Sequence, residues 1–361
     1  MIVERLRLRN FRSYERAEVD FGDRVSVVTG DNGAGKTNLL EALYFACVGR
    51  SCRTRVDSQV IRFEQPVARV ELDGCDGDDP HQLAVAIERQ DGKTYFADGA
   101  RIESLEPFTW RPPAVVFMPD RLELVKGAPG VRRGHIDQLI AVLWPGRRAN
   151  RSQYAQALAQ RNALLARGGA GEELLVWERE LARHARTLIA DRREAVAAID
   201  AGFIAIGAEL GLDPAPELRL RTVTGVDPDD TDAYLAALAE RREDDRRRGF
   251  TTFGPHRDEL LIKYAGREVR TYGSQGQQRV CLLALLLAES EAIAAATGRG
   301  PLVLLDDVMS ELDAARRRLL VERVAGLGQV LITATEAEHV PASPQLDAVL
   351  AVADGAVRRA S

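Results

Sequence analysis

Gly30-Asp31-Asn32-Gly33-Ala34-Gly35-Lys36-Thr37 sets glycines, a lysine and a hydroxyl in the spacing G-x-x-x-x-G-K-[ST], the chemistry of a phosphate cradle. The glycines let backbone N–H groups turn onto phosphate oxygens at the start of a following helix. Lys36 is placed to reach the β- and γ-phosphates of ATP, and the Thr37 hydroxyl to ligate Mg²⁺. Short patterns of this kind arise by chance. Here the strand residues Val25, Val27 and Val28 precede the loop and helical sequence follows it, which is the context a cradle needs.

A second set of reactive groups lies near the other end of the chain. The apolar run Leu302-Val303-Leu304-Leu305 ends in Asp306-Asp307. A carboxylate at that point suits Mg²⁺ or its water shell, the role expected of Asp306. Asp307 adds a second carboxylate at the same point. The plain alternative is a pair of turn aspartates at a strand end. Ser274-Gln275-Gly276-Gln277 offers a hydroxyl and exposed N–H groups at the start of a helix, a second anion site. Alone it reads as a polar helix cap. As an anion site it must serve the phosphate of a partner copy, because it cannot reach its own chain's loop.

The elements that would position these groups follow from periodicity. Val3, Leu6 and Leu8, then Val19 and Phe21, then Val25 to Val28 alternate as strands. A helix is predicted from Lys36 through Val48, with Leu39, Leu40, Leu43 and Ala46 on its apolar side. Val67-Leu72, Leu83-Glu88 and Thr94-Ala97 read as a β-rich flap beside the nucleotide, and Val115 to Met118 as a buried strand. From about 135 to 250 the pattern is helical. Leu174, Trp177, Leu181, Leu188, Ile189, Val196, Ile199 and Phe203 recur at three- and four-residue steps. Two helices of roughly 25–30 residues, each about 40 Å long, should meet at a turn through Gly168 to Gly171. Arg241 to Arg248 reads as a solvated charged face. Strand character then returns with Leu260 to Tyr264 and Glu268-Val269, a helix Arg279 to Ala295, the strand Gln329 to Thr333 and a closing hairpin near Val349 to Gly355. The expected fold class is α/β: a head formed by residues 1–134 and 251–361, split by a helical lobe over 135–250.

The order of these motifs resembles the head of an ABC-type ATPase. The resemblance makes Asp307 the counterpart of a catalytic glutamate one methylene longer. It makes Ser310-Glu311-Leu312-Asp313 a D-loop whose Asp313 crosses a dimer seam. Thr335 falls where such heads place a switch histidine; it can hydrogen-bond the γ-phosphate but cannot take a proton. The segment Phe117-Met118-Pro119-Asp120 lacks the usual Q-loop glutamine, and Gly273 and Gln275 depart from the signature L-S-G-G-Q.

Composition narrows the setting without deciding it. The 361 residues are 45% hydrophobic and 29% charged, with net charge -5. Val280 to Ala288, the longest apolar run, falls far short of the ~20 residues of a membrane span, and the N-terminus lacks a signal sequence. A cytoplasmic protein with no membrane partner is expected. Four cysteines without a C-x-x-C pair, beside five histidines, argue against a zinc site or a disulfide framework. Only four of the 49 basic residues are lysine, so 45 are arginine. Arginine suits bidentate phosphate binding, yet no basic stripe marks a DNA face; Arg53, Arg55, Arg132 and Arg133 are candidates.

A narrower resemblance, to the RecF family of bacterial recombination and gap-repair ATPases, spans nearly the whole chain. It rests on Asn10-Phe11-Arg12-Ser13-Tyr14, Gly49-Arg50-Ser51, then Gly127, Pro129, Arg132-Arg133 and Asp137. Gln160 to Leu165, Gly254-Pro255-His256-Arg257-Asp258 and Gly273 to Gln277 complete the set. The resemblance implies ATP-dependent homodimerisation on DNA (duplex, gapped or at single-strand junctions), weak DNA-stimulated hydrolysis, and work with RecR and RecO to load RecA. It places Arg12 near the nucleotide, with a structural salt bridge as the alternative. His256, between a proline and Arg257-Asp258, reads as a structural turn rather than a catalytic group. Rival readings are a transporter ATPase subunit, a short SMC-like head and a P-loop kinase. The first normally keeps the switch histidine, and the last needs no cross-dimer serine.

Overall fold

The computed structural model describes residues 1–360 other than 91, 106, 109, 169, 170, 226, 228 and 229, with backbone alone for Asp120 and Glu311. The chain runs β1 (Ile2–Phe11), β2 (Tyr14–Asp20), β3 (Val25–Thr29), α1 (Lys36–Val48), β4 (Val67–Asp76), β5 (Asp79–Glu88), β6 (Gly92–Ala97), β7 (Ala100–Ile102) and β8 (Ala114–Phe117). Next come α2 (Glu123–Lys126), α3 (Pro129–Leu143), α4 (Arg148–Ala166), α5 (Glu172–Glu209), β9 (Glu217–Arg221), α6 (Thr231–Glu240) and α7 (Arg242–Arg248). The remainder is β10 (Glu259–Tyr264), β11 (Arg267–Glu268), α8 (Val269–Tyr272), α9 (Gln275–Thr297), β12 (Leu302–Leu305), α10 (Ala314–Ala325), β13 (Val330–Ala334), β14 (Leu346–Ala353) and β15 (Ala356–Arg359). Two compact units result, 1–121 with 293–361 and 122–292. The boundaries expected at 134 and 251 lie inside the second unit, which therefore holds the Ser274 segment and most of α9.

The first unit contains two sheets. One is antiparallel, in the order β2-β1-β4-β5-β6-β7. Along β1, Val3, Leu6 and Leu8 are buried, while Arg5 and Arg7 point outward and pair with Asp20, Glu71 and Asp73. The strands expected as a separate flap thus continue the N-terminal hairpin as one sheet. The other sheet, β15-β14-β3-β13-β12-β8, is parallel through its five strands from β14 to β8. Its central strands are almost wholly buried and mostly apolar, with Ser26 and Thr333 among the buried residues, the pattern of a sheet covered on both faces. Helix α1 touches strands of both sheets, and Leu39 through Cys47 are all buried. A one-sided apolar stripe was expected; the helix is apolar all round because it lies in the core.

The second unit carries α2 to α8, most of α9 and a three-stranded sheet, β11-β10-β9. Strand β9 interrupts the segment expected to be wholly helical; its Glu-Leu-Arg-Leu-Arg alternation pairs with β10. Helix α5 has 38 residues, about 57 Å, longer than expected. Of the turn before it, residues 169 and 170 lie outside the described residues, as does Asp91 of the turn before β6. Helix α9 is long and apolar enough to cross a membrane, but 67% of its most apolar window is buried inside the protein. That is the condition of a core helix.

Ion pairs fill the interior of the second unit. Arg161 of α4 is fully buried; its Nη1 donates to Asp245 Oδ2 at 2.7 Å, and Nε and Nη2 to Glu178 Oε1. Arg192 of α5 grips Asp137 of α3 through two bonds of 2.8 and 3.0 Å and donates to the Pro255 carbonyl. Arg132 holds Glu259 at 2.6 Å. His256 accepts from Tyr154 Oη at 2.6 Å and donates to the Thr251 carbonyl at 3.0 Å, the structural turn expected of it. Burial lowers its pKa to about 4, so the ring is neutral at pH 7. The charged run from Arg241 was expected to be solvated throughout. Asp245 is instead buried, because it is the counter-ion of Arg161.

Replacing Arg161 by Met strips Asp245 of that counter-ion, whereas Glu178 keeps Arg242. We expect a loss of about 3–5 kcal/mol, read as a lower urea midpoint. His256 gives a pH dependence of known sign. Its folded pKa lies below the ordinary 6.5, so the unfolded chain binds the proton better. Stability should fall as pH drops from 6.5 towards about 4, and a His256→Asn chain should show a flatter profile there.

Candidate nucleotide site

The parallel sheet sets the geometry. Leu305 lies beside Ile332, and Ala334 beside Thr29, so β3, β12 and β13 end side by side. Gly30, Asp306 and Thr335 leave those ends together, and the Gly30 N–H faces the Thr335 carbonyl at 3.4 Å. Residues 306 and 37 thus meet across 269 positions: Thr37 Oγ1 donates to Asp306 Oδ2 at 2.8 Å.

The loop from Gly30 to Thr37 is shaped for an anion. Gly30, Gly33 and Gly35 have φ of +146°, +85° and +118°, a region L side chains avoid. A Cβ on Gly35 would also lie 2.9 Å from Tyr14 Oη. Asp31, Asn32 and Gly33 are exposed, Ala34 packs on the core below, and Lys36 Nζ folds back to the carbonyls of Gly30 and Asp31. Helix α1 has no side-chain cap and no acidic residue in its first turn. Its N–H groups and positive dipole end therefore face the loop with no acid of the helix itself to offset them, which suits a phosphate. Helix α10 differs: Asp313 caps it by accepting from the Arg316 N–H at 2.9 Å.

Asp306 is 5% exposed, and burial pushes its carboxyl above the ordinary range against the opposing bonds from Thr333 and Thr37. Thr333 Oγ1 donates to Asp306 Oδ1 at 2.8 Å and accepts from the Asp307 N–H at 2.9 Å. Asp307 sits at φ +49°, and its carbonyl accepts from Ser310 Oγ. Among the described residues no three His, Cys, Asp or Glu side chains cluster to hold a metal. The donor set fits a hard cation that takes the Thr37 hydroxyl, the Asp306 carboxylate and oxygens of its own ligand.

Arg12 takes the salt-bridge alternative. Its Nε and Nη2 meet the two oxygens of Glu41, a fully buried acid on α1, at 2.9 and 2.6 Å. Ser13 Oγ accepts from Asn38, and Tyr14 Oη donates to the Gly35 carbonyl, so the β1–β2 turn braces the start of α1. Sequence reasoning gave Tyr14 and Glu41 no role; an acid amid the apolar residues of α1 was the available signal. Arg53 donates to Asn38 Oδ1 at 3.1 Å and to Glu41, and its charge acts on Asp306. That places it at this site. Arg132, offered as a DNA contact, is 4% exposed and committed to Glu259, while Arg133 Nη1 is bonded to the Asp258 carbonyl.

In the second unit Ser274 opens α9 with a reciprocal cap. Its Oγ accepts from the Gln277 N–H at 3.2 Å, and its own N–H donates to Gln277 Oε1 at 2.8 Å. Ser274, Gln275 and Gly276 are exposed, open to another molecule.

Residues 2–358 match the RecF/RecN/SMC N terminal domain. The chain is 35% identical over 356 residues to the DNA replication and repair protein RecF of Bacillus velezensis, covering 94% of this chain and 95% of that one. It is 38% identical over 341 residues to the protein of the same name from Anaeromyxobacter sp. (strain Fw109-5), covering 92% and 91%. A solved structure of the recombination mediator protein RecF with ATP superposes with a TM-score of 0.87 at 27% identity, covering 100% and 98%. An SMC head bound to the C-terminal winged-helix domain of ScpA shares the fold, with a TM-score of 0.59 at 18% identity.

Burial makes an ionised Asp306 costly to the nucleotide-free fold. With its folded pKa raised, the folded state favours the protonated carboxyl, and the associated stability is lost as pH rises through that pKa. Asp306→Asn should therefore raise the stability of the nucleotide-free protein at pH 7, by about 0.5–2 kcal/mol in a denaturant titration. The same chain should lose ATP hydrolysis.

Proposed function

The chain belongs to the RecF family of DNA replication and repair proteins, and we propose that it is an ATP-dependent DNA clamp of recombinational gap repair. In this reading ATP binds in the Gly30–Thr37 loop, and two copies close over two nucleotides. The observation that carries it is the 2.8 Å contact between Thr37 and Asp306, which joins the two halves of an ATPase site. The uncapped start of α1 and the solved RecF–ATP structure support it further.

Each residue then has a task. Backbone N–H groups of Asp31 to Thr37 bind phosphate oxygens, and Lys36 leaves the loop carbonyls for the β- and γ-phosphates. Thr37 and Asp306 would hold Mg²⁺, which when bound would offset charge on the phosphate oxygens. Asp307 orients a water and takes its proton as the water oxygen bonds to the γ-phosphorus. The bond to the bridging oxygen breaks, and its electron pair leaves with ADP. Thr335 hydrogen-bonds the γ-phosphate without accepting a proton. Ser274, with the N–H groups of Gln275 and Gly276 and the Gln277 side chain, caps the partner copy's γ-phosphate, and Asp313 reaches across the seam. Arg12 acts through Glu41 on the helix that carries Lys36. Asp307 reaches less far than a glutamate, so turnover is weak, and we place its stimulation with DNA. RecR, RecO and RecA are the proposed protein partners, in the cytoplasm. DNA is bound by shape and phosphate rather than by base sequence, with steep salt dependence.

Light scattering with magnesium-ATP should show a dimer that Lys36→Arg and Ser274→Arg each abolish. Binding to duplex and gapped DNA should rise on the order of tenfold with ATP. A protein that binds DNA equally well without nucleotide, or stays monomeric with it, contradicts the clamp.

A further inference from the structure

Thr333 is a lone hydroxyl in the apolar strand Val-Leu-Ile-Thr-Ala, and it is fully buried. Such a group does not line a phosphate cradle and nothing above assigns it a task. Its two hydrogen bonds end on the two aspartates: it donates to the Asp306 carboxylate (Oδ1) at 2.8 Å and accepts from the Asp307 backbone N–H at 2.9 Å. The second bond fixes the peptide at which the chain turns into the left-handed region, φ +49° at Asp307, where a non-glycine residue is held only by its surroundings. The first bond occupies the Asp306 oxygen not used by Thr37, which orients the plane of that carboxylate.

We propose that Thr333 is a positioning residue for hydrolysis, one hydroxyl that aims the metal-side carboxylate and sets the backbone from which Asp307 reaches water. The inference rests on the ATPase reading of this site and assigns it one more residue. Only a group that both donates and accepts can serve, which a threonine or serine does and a valine of the same shape does not. Binding of ATP uses the loop and Lys36, neither of which touches Thr333. Its removal should therefore act on turnover and spare affinity.

The test compares wild type, Thr333→Val and Thr333→Ser. Three quantities are read on each: phosphate release in a single turnover, affinity for a fluorescent ATP analogue, and yield of the ATP-held dimer. We expect T333V to slow release on the order of tenfold or more, with affinity within about threefold and the dimer intact or longer lived. T333S should recover most of the rate. Should the valine chain fail to fold, Thr333→Ala against T333S makes the same comparison. Equal turnover in T333V and wild type overturns the proposal. So does a parallel loss of affinity and rate, which would mark a merely structural residue. A wild-type protein that releases no phosphate overturns the ATPase reading itself, and that outcome is separable because it appears before any variant is made.

Discussion

Everything at the nucleotide site depends on the contact of a threonine hydroxyl with a buried carboxylate, Thr37 Oγ1 to Asp306 Oδ2. The residues are distant in sequence and are joined only because β3, β13 and β12 are adjacent parallel strands in register. A slip of one residue in either pairing would turn alternating side chains to the wrong faces, and in the β12–β13 pairing it would carry Thr333 away from Asp306. The apolar content of those strands is therefore the mechanical basis of the site. Their burial fixes register, register fixes where the loop and the carboxylates emerge, and Asp306 is desolvated as a consequence.

The second unit solves a different problem with a different material. It secures α3, α4, α5 and the turn from Gly254 to Asp258 with buried arginine–carboxylate pairs. Such pairs add little net stability over apolar packing, but each is costly to break singly. They demand one geometry, because a misplaced helix leaves a charge unpaired in the interior. Gln160 to Leu165, Arg132-Arg133, Asp137 and Gly254 to Asp258 all feed this one network. These four of the short matches thus have a common physical purpose. They specify the lobe that presents Ser274.

Much of this was legible beforehand, for identifiable reasons. The cradle and its helix were readable because glycine spacing and a following helix are local properties. The strand ending at Asp306 was readable because a fully buried parallel strand leaves an unmixed apolar run. The β9 strand was missed because Glu-Leu-Arg-Leu-Arg is short and half polar, and it is defined by pairing with β10 rather than by its own composition. The two compact units divide at 121 and 292 rather than where the periodicity changes, and ion pairs bind Arg132, Glu259 and the neighbouring segments into one body. Arg12 and Arg53 could not be assigned from sequence, since their common partner Glu41 is hidden on a helix that looks ordinary until both its faces are found buried.

The central claim is that each copy holds half of two composite sites, a loop for its own ATP and a Ser274 cap for its partner's. Mixing a Lys36→Arg chain with a Ser274→Arg chain addresses it most directly, because a mixed dimer has one site with both defects and one with neither. The account predicts that each variant alone neither dimerises nor hydrolyses with ATP, and that the mixture regains both in part. A mixture as inert as its components, or a Ser274→Arg chain that is fully active alone, would contradict it.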